Sequence, residues 1–151
     1  MVRAIIFDWG RTLYDSEQGT LFPAVPTLLA ELSRRYTLAI VSSVSSDFAS
    51  RVSARRSTVA EADIERFFAA IAFVPGDKEG AYRDVLAQLA LSATDVAIVD
   101  DRVRRGIAWG NAQGATTIWL RRGRFADELP DAATGLPTYT IGAVEEITTI
   151  L

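Results

Sequence analysis

The chain has 151 residues, 49% of them hydrophobic, and a formal net charge of −3. That length suits one domain with a substantial core, and the weak charge gives no case for nucleic-acid affinity or a membrane surface. There is no cysteine and no histidine, which excludes disulfides, thiolate chemistry, Ser-His-Asp triads and His- or Cys-bound metals. Any metal must be held by oxygen, which favours Mg²⁺.

The apolar run Ala4-Ile5-Ile6-Phe7 ends on Asp8, and Gly10 follows two residues later. In an open α/β sheet this places Asp8 at the carboxyl end of a buried strand, where ligands bind. The competing reading is an Asp that merely begins a turn. Residues 10–19 read as a polar, mobile loop. A helix is predicted from near Pro23, with Val25, Leu28, Leu29 and Leu32 on one buried face and Arg34-Arg35 at its positive end. Residues 37–41 form a second apolar strand that stops at Ser42-Ser43. Ser45, Ser46 and Asp47 can each start the helix that carries Phe48 and Val52.

A short helical turn over 62–68 and a third strand over 70–74 follow. Pro75-Gly76-Asp77 breaks the chain, and Lys78 opens a helix with Ala81, Val85, Leu86 and Leu89 facing inward. Residues 95–99 form a fourth strand that ends on Asp100-Asp101. A helix over 103–113 closes on Gly114 as a C′ residue, and a fifth strand covers 115–120. A short strand over 139–141 and a final helix from Ala143 complete the chain. Trp9, Trp109 and Trp119 are candidates to line a pocket, although buried aromatics usually belong to the core.

Strands alternating with helices predict an α/β, three-layer Rossmann-like fold, with a mostly parallel sheet of five or six strands covered on both faces. No repeat or linker divides residues 1–151, so one domain is expected. The chain carries no leader pattern and no apolar run of membrane-spanning length, so a cytoplasmic location is expected. Asp8, Ser42, Lys78 and Asp100-Asp101 all fall on the carboxyl edge of such a sheet. Lys78 is the only lysine among sixteen basic residues, and a compact ammonium kept in an arginine-biased chain points to a role for a point charge.

These residues, in this order, resemble the haloacid dehalogenase superfamily, mostly Mg²⁺-dependent phosphohydrolases. The resemblance runs from Val2 to about Gly123. The matching stretches are Asp8-Trp9-Gly10-Arg11-Thr12-Leu13, Val41-Ser42-Ser43, Gly76-Asp77-Lys78-Glu79-Gly80 and Ile98-Val99-Asp100-Asp101. The resemblance implies Asp8 as the nucleophile that forms an aspartyl phosphate, with Ser42 and Lys78 holding the phosphoryl oxygens. It implies Mg²⁺ held by Asp8, the Gly10 backbone carbonyl and Asp101, with Asp100 supporting Asp101 or taking its place. Arg11, Thr12, Ser43 and Arg102 are candidate substrate contacts, and Ser43, Ser45 and Ser46 compete with Ser42 for its assignment.

Two departures stand out. Family phosphatases carry a second Asp two residues after the nucleophile as general acid and base, and here that position is Gly10; its loss should cost roughly 10²–10⁴ in rate. The following Gly of the family pattern is Arg11. The loops leave no room for a cap domain, so the site should be open to solvent unless a second copy of the chain covers it. A phosphorylated or otherwise anionic substrate is the expected partner. Arg102, Arg104, Arg105, Arg121, Arg122 and Arg124 form either a cationic rim or a solvated face. Two functions stay open: a weak Mg²⁺-dependent phosphatase, or a noncatalytic phosphate-binding domain. A carbon–halogen or carbon–phosphorus hydrolase is a third reading, made less attractive by the missing cap.

Overall fold

The computed structural model describes residues 1–44 and 47–151. Its centre is a six-stranded, all-parallel sheet built from β1 (Ala4–Phe7), β4 (Thr37–Val44), β5 (Phe68–Pro75), β6 (Val96–Asp100), β7 (Thr116–Leu120) and β8 (Tyr139–Ile141). The spatial order is β5-β4-β1-β6-β7-β8. The small strands β2 (Tyr14–Asp15) and β3 (Thr20–Leu21) pair separately as an antiparallel hairpin.

Side-chain alternation along the strands divides the core in two. Ile5, Phe7, Leu38, Ile40, Ala97 and Val99 point to one face, where they meet Val25, Leu28, Leu29 and Leu32 of α1 (Val25–Leu32). Ile147 of α5 (Ile147–Ile150) and Val59 of α2 (Phe48–Glu61) join the same cluster. Ala4, Ile6, Ala39, Val41, Val96 and Ile98 point the other way. They pack on Ala81, Tyr82, Val85 and Leu86 of α3 (Glu79–Leu89) and Trp109 of α4 (Ala108–Gln113). A strand buried on both faces must be apolar at every position, which is why β1 reads as an unbroken hydrophobic run.

β1 lies between β4 and β6, so successive connections leave it in opposite directions, and a crevice opens at its carboxyl end. Asp8 stands at that point, its N–H donating to the Val99 carbonyl at 2.9 Å.

Several local expectations are corrected. Residues 10–19 do not form a simple loop: they carry β2 and the turn leading to β3, and the Trp9 carbonyl accepts the N–H groups of Thr12, Leu13 and Tyr14. β4 does not stop at Ser42 but runs to Val44, because Ser42 and Ser43 pair with Phe73 and Val74 of β5. α1 ends before Arg34-Arg35, and the Arg35 guanidinium instead donates to the Leu151 carbonyl. Asp47 precedes α2 with φ +46° and makes no side-chain cap; Ser45 and Ser46 lie outside the described residues. The helix expected over 103–113 is split into a π-helical turn (Val103–Ile107) followed by α4. Trp9, Trp109 and Trp119 are all buried.

Candidate active site

Four charged side chains from two strand ends and one helix start are buried together at the crevice. Asp8 follows β1, Asp100 ends β6 and Asp101 follows it, and Lys78 immediately precedes α3. Their exposures are 7%, 0%, 1% and 6% for Asp8, Asp100, Asp101 and Lys78. Lys78 Nζ donates to Asp8 Oδ1 at 2.6 Å and to Asp100 Oδ2 at 2.8 Å. Burial on its own would lower the lysine's pKa, but Asp100 and Asp8 outweigh it and hold the ammonium well above the usual lysine range.

Asp100 is held from three sides. Besides Lys78, it accepts the Arg102 N–H on Oδ1 at 2.8 Å and the Gly106 N–H on Oδ2 at 3.2 Å. The π-helical turn brings the Gly106 backbone close enough to do this. A Cβ at position 106 would strike Asp100 and the Tyr82 hydroxyl, so a side chain there is sterically excluded. Asp100 is therefore a scaffold that orients Lys78. Burial pushes its carboxyl up, and Lys78 works against that shift.

Asp101 has a different partner. Arg11 Nε donates to Asp101 Oδ2 at 2.9 Å, and the same guanidinium lies over the Phe125 ring, 4.7 Å from its centroid. Burial, Asp8 and Asp100 together push the Asp101 carboxyl up to about 7, with Arg11 opposing. Arg11 itself has φ +62°, a left-handed conformation that costs a residue with a Cβ about 1–2 kcal/mol.

A metal's fit is readable from the carboxylates. Oxygens from Asp8, Asp100 and Asp101 all lie within 4.8 Å of one another, buried. An all-oxygen cluster of this charge suits Mg²⁺. The second oxygens of Asp8 and Asp101 accept no hydrogen bond from the described residues, which leaves both carboxylates a lone-pair face to offer.

Ser42 is buried, and its Oγ accepts from Arg55 Nη1 at 2.9 Å; the same nitrogen donates to the Ser43 carbonyl at 3.2 Å. Arg55, on α2, was not singled out from the sequence. Burial lowers its pKa, while Asp8 acts to raise it. The Ser43 hydroxyl instead donates to the Gly76 carbonyl, tying β4 to the loop before Lys78. Thr12 is fully buried, and its Oγ1 has no partner among the described residues.

The Arg102 side chain turns to Glu128 at 2.8 Å and lies 3.8 Å from the Phe125 ring centroid. Arg104 reaches Asp131 at 3.2 Å. Arg121 and Arg122 lie over Trp119 and Phe22. The arginines read as either a cationic rim or a solvated face are thus largely engaged with carboxylates and rings. The counter-charges are Glu128 and Asp131, neither of which the sequence singled out.

Comparison with solved structures identifies the fold. A haloacid dehalogenase-like family hydrolase from Streptococcus pneumoniae is similar with a TM-score of 0.74 at 17% identity, over 99% of this chain and 98% of that one. The chain has the haloacid dehalogenase-like fold. A protein from Listeria monocytogenes serotype 4b is similar with a TM-score of 0.74 at 17% identity, over 99% and 96% of the two chains. A HAD-hydrolase from Bacillus subtilis, solved bound to magnesium, is similar with a TM-score of 0.70 at 22% identity, over 89% of this chain and 58% of that one. No protein-family model and no curated protein matches the sequence. Within this haloacid dehalogenase-like fold, Asp8, Ser42, Lys78 and the Asp100-Asp101 pair follow β1, lie in β4, precede α3 and end β6 respectively. Among the described residues no helix is long and apolar enough to cross a membrane.

Proposed function

We propose that the chain is a phosphohydrolase in which Asp8 is the nucleophile, built on one haloacid dehalogenase-like core without a cap. The observation that carries this reading is the Lys78 ammonium held between Asp8 and Asp100 at 2.6 and 2.8 Å. A fixed, buried cation beside a carboxylate lets that carboxylate approach an anionic phosphoryl group. It also keeps Asp8 in place for in-line attack. The Ser42 hydroxyl, steadied by Arg55, is left free to turn its own hydrogen toward a phosphoryl oxygen.

Asp8, Asp101 and the Gly10 carbonyl would hold Mg²⁺, with Asp100 supporting them. When bound, the ion supplies positive charge between Asp8 and the phosphoryl oxygens. The remaining steps fall to the chain's own groups. Asp8 attacks phosphorus, the bond to the leaving oxygen breaks, and an aspartyl phosphate forms. Gly10 cannot protonate the leaving group or activate the water that must follow. Substrates whose leaving groups depart without a proton are therefore favoured.

The test is turnover of p-nitrophenyl phosphate with Mg²⁺ by wild type and Asp8→Asn. An aryl leaving group forgives the missing acid. Turnover lost in Asp8→Asn is the expected result; equal background from both proteins sinks the nucleophile. A second reading, a noncatalytic phosphate-binding domain, draws on the Arg11–Asp101 ion pair, which sets a side-chain cation against one of the carboxylates that would hold the ion.

A further inference from the structure

A recess of about 260 Å³ opens beside the two residues that follow Asp8. Its walls include Trp9, Gly10, Tyr14, Ser16, Arg51 and Arg55, and none of its lining residues is acidic. Arg51 and Arg55 are four apart on α2, so they stand on one face of the helix. Among the described residues neither guanidinium is paired with a carboxylate, in contrast to Arg102 and Arg104, which Glu128 and Asp131 engage. Arg55 links the recess to the crevice through its bond to Ser42 Oγ. A Cβ built on Gly10 would lie 3.5 Å from Ser16 Oγ, another wall residue, so the recess borders position 10, which has no side chain to donate a proton.

We propose that this recess is an anion subsite for the leaving group, selecting substrates in which the scissile phosphoryl is joined to a second phosphate. The substrate class is a phosphoric anhydride, ahead of a simple alkyl monoester. The chemical half of this inference rests on Asp8 being the nucleophile; the binding half does not. An alkoxide departing from a monoester needs a proton, and Gly10 has none to give. A departing phosphate is weakly basic and leaves as an anion. Guanidinium groups can hold the charge that collects on it, without any proton transfer.

The steps balance as follows. An Asp8 carboxylate oxygen attacks the terminal phosphorus, the bond from that phosphorus to the bridging oxygen breaks, and its electron pair stays on the bridging oxygen. The second phosphate then leaves carrying that charge, against Arg51 and Arg55. Water next attacks the aspartyl phosphate at phosphorus, one of its protons passes to solvent, and the Asp8 carboxylate is regenerated with release of inorganic phosphate.

The experiment titrates inorganic pyrophosphate and inorganic phosphate separately, with Mg²⁺ fixed, into Asp8→Asn protein so that turnover does not intrude. Pyrophosphate is expected to bind about tenfold more tightly than phosphate, the worth of one charge-assisted contact. Adding Arg51→Gln should bring the ratio close to one, and Arg51→Lys should restore part of it. Arg83→Gln, an exposed change on α3 far from the recess in sequence and paired among the described residues only with Glu79, should leave the ratio alone. A ratio that Arg51→Gln does not move, or that Arg83→Gln moves as much, overturns the subsite. Asp8-dependent turnover of p-nitrophenyl phosphate with an unmoved ratio removes the subsite and keeps the hydrolase. A ratio that collapses in a protein without such turnover keeps the subsite and removes the nucleophile.

Discussion

Arg11 and Asp101 form a half-buried ion pair at 2.9 Å, between a residue held in a left-handed conformation and a carboxylate that would hold a cation. Both ends are constrained. The Arg11 N–H donates to the Tyr14 carbonyl at 2.7 Å, and Trp9 gathers the N–H groups of the next three residues. The backbone therefore aims this guanidinium, and any ion arriving at Asp101 must contend with it.

Removing that competitor should strengthen cation binding. Arg11→Gly also suits the φ of +62°, so the loop is expected to keep its path. Mg²⁺ affinity by calorimetry should rise about tenfold, the equivalent of one charged hydrogen bond. Arg11→Lys should bind the ion about as wild type does. Equal affinities in wild type and Arg11→Gly would show that the guanidinium yields at no cost.

The elevated Asp101 carboxyl has a direct consequence for stability with chelator present. The unfolded chain releases this proton near the ordinary value of 3.8, whereas the folded chain keeps it to about 7. Between those values the native state binds more protons, so stability falls as pH rises and levels off above 7. Urea unfolding from pH 5 to 8 should show this decline, and Asp101→Asn should flatten it. A decline that persists unchanged in Asp101→Asn assigns it elsewhere.

Lys78 pairs with two buried carboxylates at once, Asp8 and Asp100. Lys78→Met should destabilise the protein by about 3–5 kcal/mol, because Asp8 and Asp100 are left buried and uncompensated. Adding Asp100→Asn should recover part of that loss, since one of the stranded charges is then gone. Denaturant midpoints of the single and double variants provide the check.

Two glycines offer a paired steric test. Gly106→Ala drives a methyl group into Asp100 and the Tyr82 hydroxyl and should cost about 1–3 kcal/mol. Gly80→Ala, inside α3 where a Cβ meets nothing within 4 Å, should gain about 0.5–1 kcal/mol from helix propensity. Thermal unfolding of the two variants should move in opposite directions.

If Asp8 is phosphorylated, the missing base at Gly10 should make the second half of the reaction slow. Rapid-quench measurements on p-nitrophenyl phosphate should then give a burst near one equivalent of nitrophenolate, followed by slower release. The space beside Ser16 admits a larger residue at position 10, so Gly10→Asp should remove the burst and raise the steady rate by about 10²-fold or more. A linear trace in both proteins would place the slow step before the aspartyl phosphate.

Much of this architecture was legible residue by residue. An apolar run that halts on a carboxylate located Asp8 and Asp100-Asp101, because a doubly buried strand can end in charge only where it leaves the sheet. The solitary Lys78 was conspicuous in a chain otherwise supplied with arginine. What stayed hidden depended on long-range pairing. The extension of β4 through Ser42 and Ser43 is imposed by β5, and no local preference would announce it. Arg51 and Arg55 sit in a helix read from the sequence only through Phe48 and Val52, so their position beside Ser42 and Gly10 emerges only when α2 is laid against the sheet. Glu128 and Asp131, which absorb Arg102 and Arg104, lie more than twenty residues from their partners.

α2 buries a single residue, Val59, along its 14 positions, whereas α3 buries four along 11. Its hold on the sheet also includes Arg55 and Arg56 lying over the Phe73 ring. A wall so lightly rooted can be rewritten almost side chain by side chain without disturbing the interior. Descendants of this sequence could therefore drift toward new ligands by editing that one helix, while the charged centre beneath it stayed as it is.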